Sequence, residues 1–171
     1  MNTENIMRNL KIEKLTLNVG AGTNQDMLKK GVKLLTNLTG LEPIKTKSEK
    51  RIPSWGVRPG LPIGCKITIR GKKAEDIIKR LVAAKEKKLK KSSFDKNGNV
   101  SFGIHEYIDV PDLEYDAAIG IIGFQACITL TRPGYRIKNR RKLKSKIGKG
   151  HLVTQEDSIK YFQDNFGVTV E

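Results

Sequence analysis

Residues 51–71 read RIPSWGVRPGLPIGCKITIRG, a loop that runs into a strand. The first half carries Pro53, Pro59 and Pro62 with Gly56, Gly60 and Gly64 among them, the punctuation of a loop. The second half alternates Ile63, Cys65, Ile67 and Ile69 with Gly64, Lys66, Thr68 and Arg70. That two-residue period predicts a strand with one buried and one open face. A basic loop bearing Trp55 thus stands at the mouth of a half-buried strand.

The same alternation recurs on both sides. Leu15, Leu17 and Val19 alternate with Thr16 and Asn18, and Phe124, Ala126, Ile128 and Leu130 alternate with Gln125, Cys127, Thr129 and Thr131. Val100, Phe102 and Ile104 form a further strand beside Asn97-Gly98, a hairpin signal. A short strand is expected near 43–47. Met27, Leu28, Val32, Leu35 and Leu38 have helical spacing, with Gly40 placed to end the helix. Ala74, Ile77, Ile78, Leu81 and Val82 mark a second helix, expected to run out into the lysines of 85–91. Thr154 and Asp157 resemble a capping box for a last helix over about 154–166, burying Ile159, Phe162 and Phe166. One-sided alternation predicts an α+β, two-layer α/β sandwich: a mostly antiparallel or mixed sheet with helices on one face and an open opposite face. The length of 171 residues suits a single domain, 1–171, including a basic tail at 132–150.

Charge narrows the function. The net charge is +15 and the pI about 9.9, which favours a polyanionic partner. The blocks 41–91 and 132–171 are basic, and 92–131 is acidic. Residues 132–150 hold nine basic side chains and no acid, so a packed core there is not expected and the tail should be mobile until an anion orders it. Tyr135 adds a ring able to stack on a base. The open sheet face would display Thr16, Asn18, Lys66, Thr68, Arg70, Gln125, Thr129 and Thr131, donors suited to phosphates, sugars and base edges. On one strand this is also ordinary threonine β-propensity; three strands share it. The acids Glu106, Asp109, Asp112, Glu114 and Asp116 lack the ladder of a calcium loop. They read equally as a solvated turn or as a site for a basic partner.

Other classes find little footing. NVGAGTNQ (18–25) lacks the third glycine of a dinucleotide fingerprint, since Gln25 stands there; it reads as a tight strand-to-helix turn whose helix N-terminus near Thr23 and Asn24 can hold an RNA phosphate. His105 and His151 have no metal-ligand spacing with each other or with a cysteine. No catalytic residues, metal or cofactor are expected. Cys65 reads as a core residue, and two cysteines are too few for a disulfide framework, which suits a reducing, cytoplasmic setting. No apolar run of membrane-spanning length exists, and Gly134, Gly148 and Gly150 interrupt the basic tail, so no membrane partner is expected.

LNVGAG (17–22), RPGLPIGCKITIRG (58–71), SFDKNGNVSFGIHE (93–106), PDLEYD (111–116) and GFQACITLTRPG (123–134) resemble, in order, the large-ribosomal-subunit protein-five family. The continuation TRPGYRIKNRRK (131–142) into a capped helix is similar to the archaeal and eukaryotic form. The resemblance implies a structural, non-enzymatic protein of the large ribosomal subunit that attaches 5S rRNA in the central protuberance through the exposed sheet face. It implies that the loop 48–62, with Lys50, Arg51, Trp55 and Arg58, reaches the elbow of peptidyl-site tRNA. The tail residues Arg132, Arg136, Arg140, Arg141, Lys142 and Lys144 would meet large-subunit rRNA. Neighbouring ribosomal proteins and a small-subunit bridge protein complete the implied partners, with the acidic segment 106–116 a reasonable side for the bridge.

Overall fold

The computed structural model describes residues 5–170. Strand β1 (Lys11–Gly20) leads through a tight turn into helix α1 (Gln25–Thr39). Asn24 caps α1, its side chain accepting from the amides of Asp26 and Met27, and Gly40 ends it in the left-handed conformation that the sequence predicts. Strands β2 (Ile44–Lys47) and β3 (Pro62–Ile69) follow, then α2 (Lys72–Ala84). Next come β4 (Lys88–Leu89), β5 (Val100–Ile104) and β6 (Phe124–Thr131). The chain ends with the short α3 (Arg136–Asn139), α4 (Gln155–Phe166) and β7 (Thr169–Val170).

The main sheet has the order β2-β3-β1-β6-β5, and each pairing is antiparallel. β1 is its middle strand. Its apolar positions Leu15, Leu17 and Val19 are buried with Cys65, Ile67 and Ile69 of β3 and with Ala126, Ile128 and Leu130 of β6. They form one core with Leu28, Leu34, Leu35 and Leu38 of α1 and with Ala74, Ile77, Ile78 and Leu81 of α2. α1 sits close on the sheet because Gly31 has no side chain: a Cβ there would stand 2.9 Å from Cγ1 of Val19 and 3.2 Å from Sγ of Cys65. The expected α+β architecture, with helices on one face of an open sheet, is therefore present.

One local expectation is corrected. The lysine run 85–91 does not extend α2. The helix stops at Ala84, Glu86 and Lys87 adopt positive φ, and Leu89 is buried in β4, which pairs in parallel with β7. The apolar Leu89, not the charges around it, decides the path of that segment. The stretch 132–150 has no packed core: it includes the short α3, its cations from Arg136 to Lys149 are exposed, and Tyr135 near its start and His151 just past its end are partly buried. The last helix matches its expected range. Its capping box is complete, with Oγ1 of Thr154 accepting from the Asp157 amide at 3.3 Å and Oδ2 of Asp157 accepting from the Thr154 amide at 3.1 Å. It buries Phe162, while Ile159 and Phe166 are half-buried.

Candidate nucleic-acid interface

The open face is built by strand register. Asn18 of β1 lies opposite Lys66 on one side and Gln125 on the other. Thr16 lies likewise between Thr68 and Cys127. Cross-strand partners share a face, so five of the expected residues, Thr16, Asn18, Lys66, Thr68 and Gln125, form one contiguous polar patch on the middle three strands. Nδ2 of Asn18 donates to Oε1 of Gln125 at 3.4 Å, a long bond that leaves both amides free to turn to a ligand. Strands spaced about 4.8 Å apart carry this patch across roughly 10 Å.

Arg70 and Thr129 lie toward one end of the same face. Lys14 lies opposite Thr129, because a bulge between Ile12 and Lys14 resets the pairing. Lys14 lies outside the expected set, although extending the alternation of Thr16 and Asn18 two residues upstream points to it. Ser101, opposite Cys127 on β5, joins the face in the same way. Thr131 departs from expectation. It is only 6% exposed, enclosed where β6 turns into Arg132 and Tyr135, and its hydroxyl donates to the Arg132 carbonyl at 3.3 Å. Thr131 is thus withdrawn from the open face. The alternation places Thr131 on the side of Thr129 but does not reveal its burial at the strand end.

The loop 48–62 is more ordered than its composition suggests. Ile52 and Val57 pair through two backbone bonds, of 2.9 and 3.1 Å, around a single helical turn at Pro53–Trp55. Gly56 closes that turn at φ 64°, and Val57 is buried. The Ser48 carbonyl accepts from the Gly60 amide and the Ser48 amide donates to the Leu61 carbonyl, both at 2.9 Å, so the loop base is closed as well. Lys50, Arg51 and Arg58 are exposed around this tip, and Trp55 is 71% exposed. A bare tryptophan on a backbone-paired miniature hairpin is a ready stacking surface.

The basic loop presents Arg136, Arg140, Arg141, Lys142 and Lys144 to solvent. Arg132, by contrast, is largely buried. Its Nη2 meets Oδ2 of Asp157 at 2.8 Å and its Nη1 donates to the Leu152 carbonyl at 3.2 Å. Arg132 therefore ties the loop to α4 instead of reaching outward. Tyr135 is not a free ring either, since its hydroxyl is engaged by the backbone of residues 151 and 153.

The acidic segment folds back over the helices. Asp116 meets Nζ of Lys33 on α1 at 2.6 Å, and Asp112 lies 3.9 Å from Nη1 of Arg80 on α2. Hydrogen bonding from Lys33, and then from the Ala118 amide, holds the Asp116 carboxyl below its ordinary range. Glu106, Asp109 and Glu114 remain exposed beside Tyr115 and Ile121.

Among the described residues, no group of three or more His, Cys, Asp or Glu is placed to hold a metal ion, and no helix is long and apolar enough to cross a membrane.

Comparison with known proteins agrees with this organisation. Residues 5–58 match the model of the family described as ribosomal protein L5, and residues 62–161 match the model of that ribosomal family's C-terminus. The chain is 47% identical to the large ribosomal subunit protein uL5 of Nanoarchaeum equitans, over 98% of this chain and 99% of that protein. It is 46% identical to the uL5 of Sulfurisphaera tokodaii over 98% of this chain and 96% of that protein. For the uL5 of Nitrosopumilus maritimus the identity is 41%, over 98% and 97%. The chain belongs to the ribosomal protein L5 family, in its archaeal form, and is a structural constituent of the large ribosomal subunit and not an enzyme.

Proposed function

We propose that the protein binds 5S rRNA through the open face of β3, β1 and β6 and so attaches it to the large subunit at the central protuberance. The cytoplasmic large subunit is then its place of action, with large-subunit rRNA and neighbouring ribosomal proteins as further partners. The observation that carries this reading is the Lys66–Asn18–Gln125 row, continued by Thr68 and Thr16, on a face that no helix covers. A cation flanked by amides and hydroxyls suits a folded RNA, whose phosphates supply affinity and whose 2′-hydroxyls and base edges supply discrimination.

The other two surfaces extend the reading. The backbone-paired tip at Trp55, with Lys50, Arg51 and Arg58, contacts peptidyl-site tRNA. The exposed acids of 106–116 face a basic protein of the small subunit. Each surface has the charge its partner requires, and the positive and negative surfaces lie on different segments of the chain.

The test is a binding titration of the free protein with 5S rRNA. Replacing Asn18 and Thr68 together by Val leaves RNA polar groups unpaired and weakens binding by about 1–3 kcal/mol for each, while the fold is retained. Binding of the wild-type protein falls with salt at a log–log slope of roughly −0.7 to −0.9 for each phosphate neutralised. Wild-type affinity in the folded double variant removes the sheet face from the site, and a flat salt response removes phosphate contact as the main term.

A further inference from the structure

The two ends of the acid-free run are tied to each other by the side chains of Arg132, Tyr135 and His151, and Tyr135 makes two of these bonds with one hydroxyl. Oη of Tyr135 donates to the His151 carbonyl at 3.2 Å and accepts from the Val153 amide at 2.8 Å. A single hydroxyl thereby joins points 16 and 18 residues away along the chain. The surroundings reinforce it. Nε2 of His151 lies 2.9 Å from the Pro133 carbonyl, and the Tyr135 and His151 rings meet edge to face with centroids 5.9 Å apart. Gly134, at φ 93°, makes the turn that brings Tyr135 back, and a Cβ there would stand 3.3 Å from Cε of Met7.

Between these ends lie eight cations, Arg136 to Lys149, all exposed and none in an ion pair among the described residues. Eight like charges on an open strand repel and spread. Closing the base of the loop works against that spread and removes chain entropy before a partner arrives.

We propose that Tyr135 is a positioning residue for RNA binding: its hydroxyl closes the base of the loop 136–150 and presents the cations as a pre-organised cluster to a phosphate backbone. Tyr135 itself does not touch the RNA. The proposal rests on the RNA-binding reading above and names how one part of that surface is prepared.

The experiment uses Tyr135→Phe in the full chain, which keeps the ring and its packing and removes both hydrogen bonds. 5S rRNA and large-subunit rRNA are titrated separately over a range of salt, with Arg140→Gln/Arg141→Gln as the companion variant. The companion variant lowers the salt slope by roughly 1.4–1.8 with the RNA that the loop meets, since two cations are gone. With that same RNA, Tyr135→Phe binds about tenfold more weakly at an unchanged slope, because every cation remains, and hydrogen exchange at the Val153 amide speeds up. Three results overturn the proposal: wild-type affinity in Tyr135→Phe; a loss of affinity with the Val153 amide still protected, which would make the hydroxyl a direct RNA contact; or a slope that falls with the affinity. If the companion variant changes nothing with either RNA, the loop does not meet RNA and the underlying reading of this surface fails, whatever Tyr135 does.

Discussion

The hydroxyl of Ser158 on α4 donates to the carbonyl of Gly98, 60 residues earlier in the tight turn before β5, at 2.9 Å, and both residues are buried. The contact docks the C-terminal helix on the sheet end and allows no side chain at position 98. Gly98 has φ 76°, and a Cβ there would come within 2.8 Å of Oγ of Ser158 and would meet the Val153 side chain as well. Gly98→Ala is therefore expected to destabilise the protein by roughly 2–4 kcal/mol, from left-handed backbone strain plus overpacking. Chemical denaturation measures it. A loss under about 0.5 kcal/mol would mean that α4 shifts freely on the sheet.

Asp116 supplies a pH dependence. Its folded-state pKa is lowered, chiefly by the hydrogen bond from Lys33, so its contribution to stability is present above the unfolded carboxyl value of about 3.9 and is lost as pH falls through the lower folded value. Asp116→Asn should leave a shallower acid limb in a plot of unfolding free energy against pH, with little change in slope near neutrality. An acid limb identical to that of the wild-type protein would show that the Lys33 contact does not persist in solution.

Trp55 and Val57 are two residues apart and should behave oppositely. Trp55→Ala removes an exposed ring and is expected to leave the melting temperature nearly unchanged, while peptidyl-site tRNA dissociates faster from ribosomes carrying the variant. Val57→Ala removes part of a buried side chain and should destabilise the tip without touching a partner directly. Affinity for 5S rRNA should stay within a few-fold in both. An unchanged tRNA off-rate together with weakened 5S binding would move Trp55 and Arg58 to the 5S surface.

β1 lies within the first family-model match, yet in the sheet it sits between β3 and β6, which belong to the second. Neither part can complete its sheet without the other. We therefore expect one cooperative unfolding transition, coincident by far-ultraviolet circular dichroism and by the near-ultraviolet signal of buried aromatic residues such as Tyr107 and Phe162. Two resolved transitions, or a separately folded fragment beginning near residue 62, would contradict a single folding unit.

The residues themselves determined the elements and their faces. The alternation at Leu15–Val19, Ile63–Ile69 and Phe124–Leu130 reports which side of each strand meets the core, because a strand's side-chain period is two wherever it lies in a sheet. Gly40 and the Thr154–Asp157 box are local as well, since a helix end is closed by groups within a turn of it. The open polar face, and with it most of the candidate interface, was legible for the same reason. The tertiary structure alone decided what depends on distant partners: that β1 is the middle strand, that Leu89 leaves the lysine run to pair near Val170, that Thr131 is covered, and that Arg132 and Tyr135 turn inward. Arg132 and Tyr135 have the composition of an RNA-binding tail, and nothing in their own neighbourhood opposes that role. What turns them inward is Asp157 and the backbone of residues 151–153, 16 to 25 residues away, whose approach is set by the docking of α4 and not by any local period.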